Sequence, residues 1–222
     1  MARVWLCDFD GTVAPTDIGA AFARAFSPGG AAEQEETLGP WIRGEMGHRD
    51  LTRAQCRLIR ATAAEALAFT RGFGLDPGFA PFVREAAARG ESVMVLSEGF
   101  DFYLADQLAR AGLGDLPFAA NRLRFAPDGS VAPEFPHGEG CGDCGNCKGQ
   151  HVRAWRERGY ATVLVGDGLS DRCGARAADE VLARGGLLAW CRREGLPARE
   201  FRDFADVAAF ARAAAGGAGG VH

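Results

Sequence analysis

Three short apolar runs constrain what this chain can fold into. Arg3–Cys7 (RVWLC), Ser92–Leu96 (SVMVL) and Thr162–Val165 (TVLV) are each followed by a small or acidic residue and a turn. Runs that are apolar throughout, rather than alternating, belong to strands covered on both faces, as in a parallel sheet. Gly186–Trp190 reads as a weaker fourth strand. Helical stretches at Ala80–Arg89, Asp101–Ala111, Gln150–Arg158 and Asp171–Arg184 separate the runs. Strands alternating with helices predict an open α/β sheet with right-handed crossovers. Such sheets bind ligands beyond the carboxyl ends of their strands.

Two segments break the alternation. Thr16–Gly74 carries apolar residues at helical spacing, with breaks around Ser27–Gly30 and Gly39–Pro40, and reads as a small helical cap inserted into the core. Asn121–Phe135 holds short runs around Asp128-Gly129, a hairpin signal. The expected organisation is a core of 1–15 and 75–212, a cap of 16–74, and a frayed Ala/Gly-rich tail of 213–222.

Composition narrows the function classes. A net charge of -4 offers no nucleic-acid footprint. No apolar run approaches the ~18 residues of a membrane span. The first strand starts almost at Met1, which leaves no room for a signal peptide, so a cytoplasmic protein is expected. The seven cysteines are an odd set. Cys7, Cys56, Cys173 and Cys191 are scattered and read as single thiols, whereas Cys141, Cys144 and Cys147 cluster. Lys148 is the only lysine among 25 basic residues. Arginine replaces lysine at most surface positions but not where one compact ammonium is needed, which marks Lys148 as a functional candidate.

The chemistry-bearing residues fall just after the expected strands or at a helix start. In Asp8-Phe9-Asp10-Gly11-Thr12, alternation points Asp8 and Asp10 the same way. Two adjacent carboxylates call for a cation and can divide labour, one attacking phosphorus and the other moving protons. Ser97 and the amide of Gly99 are suited to hold phosphate oxygens. Lys148 can neutralise phosphate and nucleophile together. Gly166-Asp167-Gly168-Leu169-Ser170-Asp171 offers hard oxygen ligands suited to Mg²⁺, although Asp171 equally suits a helix N-terminus.

Taken in order, DFDGT, a strand ending in serine, the lysine and GDGLSD resemble the four motifs of the haloacid dehalogenase superfamily, across essentially the whole chain. The resemblance implies a Rossmann-like α/β core with a parallel sheet, an inserted helical cap of type C1 and a small β-hairpin. It implies a Mg²⁺-dependent phosphatase of a small phosphorylated metabolite. Asp8 would be the nucleophile and Asp10 the general acid/base. Ser97 and Lys148 would be phosphate ligands. The metal would be held by Asp8, the backbone carbonyl of Asp10 and Asp167, with Asp171 nearby. An Asp at position 10 argues against a true dehalogenase, which has no use for that proton shuttle.

The cap, SEGFDFYL and FAANRLRF resemble the phosphoserine phosphatase group. EFPHGEGCGDCGNCKGQ is similar to the methionine-salvage phosphatases acting on 2-hydroxy-3-keto-5-methylthiopentenyl-1-phosphate, and a Cys-rich approach to the lysine also occurs in phosphoethanolamine/phosphocholine phosphatases. Glu98 departs from the glycine usual after the serine, and a carboxylate there can alter substrate choice. Under a phosphoserine reading, Asp17 would meet the substrate amine and Arg53 its carboxylate; otherwise both are solvated cap residues. A phosphate-binding protein without catalysis and phosphoryl transfer to another alcohol are the competing functions; the full Asp8, Asp10, Lys148 and Asp167 set argues against the first. Oligomeric state leaves no sequence signal. Cys141, Cys144 and Cys147, with His137 four residues earlier, admit three readings: a packed glycine-rich loop, a structural Zn²⁺ site, or a redox-sensitive pair.

Overall fold

The computed structural model describes residues 2–217. The chain runs β1 (Arg3–Asp8), α1 (Ile18–Phe26), α2 (Gly30–Ile42), α3 (His48–Leu58), α4 (Ala63–Thr70), α5 (Phe79–Ala88), β2 (Ser92–Phe100), α6 (Asp101–Arg110), β3 (Phe118–Phe125) and β4 (Val131–Glu134). It continues with α7 (Lys148–Glu157), β5 (Ala161–Gly166), a 3-10 turn at Leu169–Asp171, α8 (Arg172–Ala177), β6 (Glu180–Ala183), α9 (Gly185–Glu194), β7 (Arg199–Glu200) and α10 (Phe204–Gly217). No helix among the described residues is long and apolar enough to cross a membrane.

The strands form one sheet in the order β4-β3-β2-β1-β5-β6-β7, parallel except for the β3–β4 hairpin. Side-chain alternation splits the core in two. Trp5, Cys7, Val95, Val163 and Val165 pack on one face. Val4, Leu6, Leu96 and Leu164 pack on the other. Both faces are therefore apolar, which is why these strands read as continuous runs. Gly129, at φ +82°, supplies the left-handed turn of the hairpin. Pro133 sits in the edge strand β4, where a missing N–H is tolerated.

Register aligns the functional ends. Asp8 lies opposite Leu96 on β2, so Ser97 follows beside it, and Cys7 lies opposite Val165 on β5, so Asp167 emerges just beyond. The α/β core, the inserted helical cap and the hairpin expected from the sequence are all present. The cap holds α1–α4, and its helices carry local signals. Asp17 caps α1 by accepting from the Ala20 N–H at 2.7 Å. Thr62 and Glu65 form a reciprocal capping box on α4.

Two expectations need correction. Gly186–Trp190 is not a strand but part of α9. Its buried residues Leu187, Leu188, Trp190 and Cys191 follow helical spacing, and apolarity alone does not separate the two conformations. The fourth core strand is instead β6, inside the stretch read as a long helix from Asp171 to Arg184. That helix stops at Ala177, and Val181–Ala183 are buried between β5 and β7. The tail expected to fray from 213 begins inside α10, and 218–222 lie outside the described residues.

Trp5 anchors the first face. It is fully buried, meets Phe82 and Phe210 edge-on at 5.2 and 6.1 Å, and donates its indole N–H to Glu91 at 2.9 Å. Trp5→Ala is expected to destabilise the fold by about 3–5 kcal/mol, because it leaves a large cavity and removes the hydrogen bond to Glu91. Urea denaturation measures this, and a loss below about 1 kcal/mol would contradict the packing described.

Candidate active site

The site forms where β1, β2 and β5 end. Lys148, the first residue of α7, is fully buried and donates to both Asp8 Oδ1 and Asp171 Oδ1. Burial alone would lower its pKa, but Asp171 and Asp8 outweigh that and hold the ammonium well above its usual value. Asp171 is itself fully buried, and its Oδ2 accepts from the amides of Asp167 and Gly168 at 3.1 and 3.0 Å. Asp167 accepts from the Thr12 hydroxyl at 2.8 Å. Gly11, at φ +82°, is required where it stands, because a Cβ there would lie 2.5 Å from Asp167 Oδ2.

Asp8 and Asp10 leave the same strand end but meet different surroundings. Burial and then Asp171 push the Asp8 carboxyl well above the usual range, against the pull of Lys148. Asp10 points to the cap. Its Oδ1 accepts from the Ile18 and Gly19 amides at 2.9 and 3.3 Å, at the start of α1. Its Oδ2 accepts from Tyr103 at 2.6 Å and Ser97 at 3.3 Å. Burial first, then the neighbouring Asp17, raise Asp10 to about 7 despite these hydrogen bonds. Gly99 lies so close that a Cβ would fall onto the Tyr103 hydroxyl and Asp10.

Asp8, Asp167 and Asp171 bring carboxylate oxygens within 4.8 Å of one another. Three crowded carboxylates face a single ammonium, and burial followed by Asp171 raises Asp167 as well. This donor set fits a hard divalent cation, which would offset the uncompensated charge. The Asp10 carboxylate is not part of the cluster.

Glu98 is buried, directly after Ser97. Its Oε2 accepts from the Gly145 and Asn146 amides, both at 3.0 Å, and lies 3.3 Å from His48 Nδ1 of α3. Burial would raise its pKa, but His48, the Asn146 amide and Lys148 outweigh that and keep it below the usual carboxylate value. Asn146 in turn donates to the carbonyls of Ser97 and Ala119 at 2.9 and 2.8 Å.

Above Asp8 and Asp10 a cavity of about 220 Å³ opens toward the cap. Ala20, Ala23, Leu38, Trp41, Leu51 and Ile59 give it an apolar wall, and Asp17 lies on its rim side. The structure thus brings together Asp8, Asp10, Ser97, Gly99, Lys148, Asp167 and Asp171, with Asp17 and Glu98 at the cavity. Arg53 does not join them. It pairs with Asp50 at 2.8 Å on the exposed side of α3 and stacks over the Phe135 ring at 5.2 Å. His137 also stands apart from the clustered cysteines, its ring against His151 at 5.2 Å. Sequence reasoning left out Thr12, Tyr103, His48 and Asn146. Thr12, Tyr103 and Asn146 lie inside quoted motifs, whereas a lone cap histidine gives no pattern.

The family model for haloacid dehalogenase-like hydrolases matches residues 5–176. The 2-hydroxy-3-keto-5-methylthiopentenyl-1-phosphate phosphatase of Brevibacillus brevis is 30% identical over 202 residues, covering 89% of this chain and 90% of the relative. Its namesake in Geobacillus kaustophilus is 31% identical over 204 residues, again covering 89% and 90%. A phosphoserine phosphatase solved as an analogue of its phospho-aspartyl intermediate superposes with a TM-score of 0.73 at 22% identity, covering 94% of this chain and 98% of that one; this likeness concerns the fold. A family match over most of the length, on strands whose ends carry these carboxylates, makes the chain a member of the haloacid dehalogenase-like hydrolase family.

Proposed function

We propose that this protein is a Mg²⁺-dependent phosphatase that hydrolyses a small phosphate monoester through an aspartyl-phosphate on Asp8. The observation that carries the reading is the buried Lys148 bridging Asp8 and Asp171, beside an Asp10 whose carboxyl is raised to about 7. An Asp8 oxygen attacks phosphorus while the bond to the leaving alcohol breaks. Asp10, protonated, gives its proton to the departing oxygen. Water then attacks the phosphoryl group, Asp10 takes the water's proton, and the Asp8–phosphorus linkage breaks to free phosphate. Lys148 and the hydroxyl of Ser97 offset charge on the phosphoryl oxygens. Asp8 and Asp167 would hold Mg²⁺, with Asp171 fixing the loop amides behind them, and the ion would supply charge neutralisation at the phosphate.

The wall of the cavity supports an apolar leaving group. Its cap side is mostly aliphatic and indole surface, with Asp17, His48, Thr52 and Gln55 as the polar members, and no arginine lines it among the described residues. A phosphoserine carboxylate would lack a guanidinium partner, because Arg53 is engaged with Asp50. The methylthio tail of 2-hydroxy-3-keto-5-methylthiopentenyl-1-phosphate suits such a wall, in keeping with the names of the relatives, and would place the enzyme in methionine salvage.

The substrate reading is tested by steady-state kinetics on that compound, phosphoserine, phosphoethanolamine and phosphocholine, with and without Mg²⁺. The methylthio substrate should have the highest kcat/KM, and activity should vanish without the ion; a preference for phosphoserine would overturn the assignment. Asp8→Asn should abolish turnover while keeping the fold, and Asp10→Asn should lower kcat by about 10²–10⁴-fold. Near-normal turnover in Asp8→Asn would rule out the covalent route.

Lys148→Arg should be nearly as damaging as Lys148→Ala, with losses of about 10²–10³-fold or more in kcat, comparable to removing a charge-stabilising donor. A planar guanidinium does not fit between two carboxylates that close on one ammonium. An arginine variant with most of its activity would contradict this account.

A further inference from the structure

The loop from Phe135 to Cys147, just before Lys148, is irregular and rich in glycine. Its three cysteines converge, and a fourth joins them from elsewhere in the chain. The sulfurs of Cys141, Cys144, Cys147 and Cys173 all lie within 4.8 Å of one another, and none is in a disulfide. Cys173 belongs to α8, so the cluster joins two distant segments. Cys144 and Cys147 are buried, Cys173 is half-buried and only Cys141 is exposed.

We propose that Cys141, Cys144, Cys147 and Cys173 form a structural zinc site that fastens the Lys148 loop to α8. A tetrahedral Zn²⁺ with four thiolates has Zn–S bonds of about 2.3 Å, so its sulfurs stand roughly 3.8 Å apart. The observed grouping lies within small adjustments of that arrangement. Four sulfurs leave no open position, which is the mark of a structural rather than a catalytic site. The thiols lose their protons to solvent as the metal enters.

The surroundings are shaped for such a cluster. A Cβ on Gly140 would lie 2.8 Å from the Cys147 sulfur, and Gly142 adopts φ +87°. A Cβ on Gly149 would lie 2.6 Å from the Cys173 carbonyl, so α7 and α8 approach closely only with glycine there. A neighbouring cavity reaches Cys144 and Cys173 and is lined by charges of both signs, Arg172 and Arg176 with Glu45 and Asp143. His137, the ligand expected from sequence, gives way to Cys173 because its ring packs on His151.

The location gives the metal a purpose. Cys147 immediately precedes Lys148, and Cys173 follows Asp171 by two residues. One ion would therefore fix both ends of the Lys148–Asp171 pair from behind, without touching substrate. The inference is independent of which phosphate ester is hydrolysed.

The test is elemental analysis of tag-free protein, grown with zinc, purified without chelator and dialysed against metal-free buffer. About one zinc per chain is expected, retained in His137→Ala and in Asp167→Asn. In Cys173→Ser zinc retention should fall by more than the roughly 10–100-fold typical of disturbing a partner one shell further out. Should that variant fail to fold, cobalt exchanged into the wild-type protein decides: a tetrahedral four-sulfur site gives intense thiolate-to-cobalt charge-transfer bands together with visible d–d bands. Zinc-free protein, zinc that depends on His137 and not on Cys173, a cobalt spectrum without thiolate bands, or an intact mass lowered by the hydrogens of a disulfide would each overturn the proposal.

Discussion

A lysine ammonium with no access to water, held between two carboxylates, is the interaction around which the rest of the molecule is arranged. Bringing three ionised groups out of water costs several kcal/mol each, and the cost is met only when geometry is good and the remaining oxygens are satisfied. The structure meets both conditions for Asp171, whose second oxygen takes two loop amides. Asp8 is less well satisfied, because its neighbours Asp171 and Asp167 carry the same charge. The pair therefore holds its own ground but leaves an excess of negative charge at the point where a cation and a phosphate would meet.

Adjacency along a strand does not make two carboxylates equivalent. Asp8 faces Lys148 and the acidic loop. Asp10, two residues on, faces the first turn of α1, where amides point at it, and a buried tyrosine whose hydroxyl donates to it. Its other neighbour is Asp17, the cap of the same helix, whose charge opposes ionisation. The inserted cap thus does more than cover the site. Through the start of α1 it places two amides and the Asp17 carboxylate beside a buried core residue, the amides favouring its charged form and Asp17 opposing it.

How much of this was legible beforehand follows from what each signal depends on. The Asp8, Ser97, Lys148 and Asp167 positions were readable because each sits directly after a continuous apolar run or at a helix start, and strand register then aligns them without further information. Their roles rest on the family resemblance and on chemistry rather than on spacing. The α9 segment misled because LLAW is as apolar as a strand, and only the burial pattern of a finished fold separates the two. Cys173 was read as a single thiol for the opposite reason: it is distant in sequence from the other three cysteines, and proximity created by the packing of α7 on α8 leaves no local trace. Arg53 illustrates a third limit. Its position in a cap helix was compatible with a ligand role, but side-chain direction was decided by Asp50 one turn away and by the Phe135 ring.

Glu98 shows how a departure from a family pattern can be structural in origin. A glycine at this position would leave the amides of Gly145 and Asn146 without their acceptor, and buried unpaired amides are costly. The carboxylate satisfies both, and the same oxygen meets His48 of the cap. The Glu98 carbonyl also accepts from Asn121 at 2.6 Å, which ties in β3. One residue after Ser97, the chain is thereby linked to the loop that carries Lys148, to the neighbouring strand and to α3. The edge of the Trp41 ring packs on His48 with centroids 5.5 Å apart, so the link continues into the apolar wall of the cavity. The side chain is a buried junction and at the same time part of the cavity lining. It makes the shape of the cavity depend on the same contacts that hold the lysine loop in place.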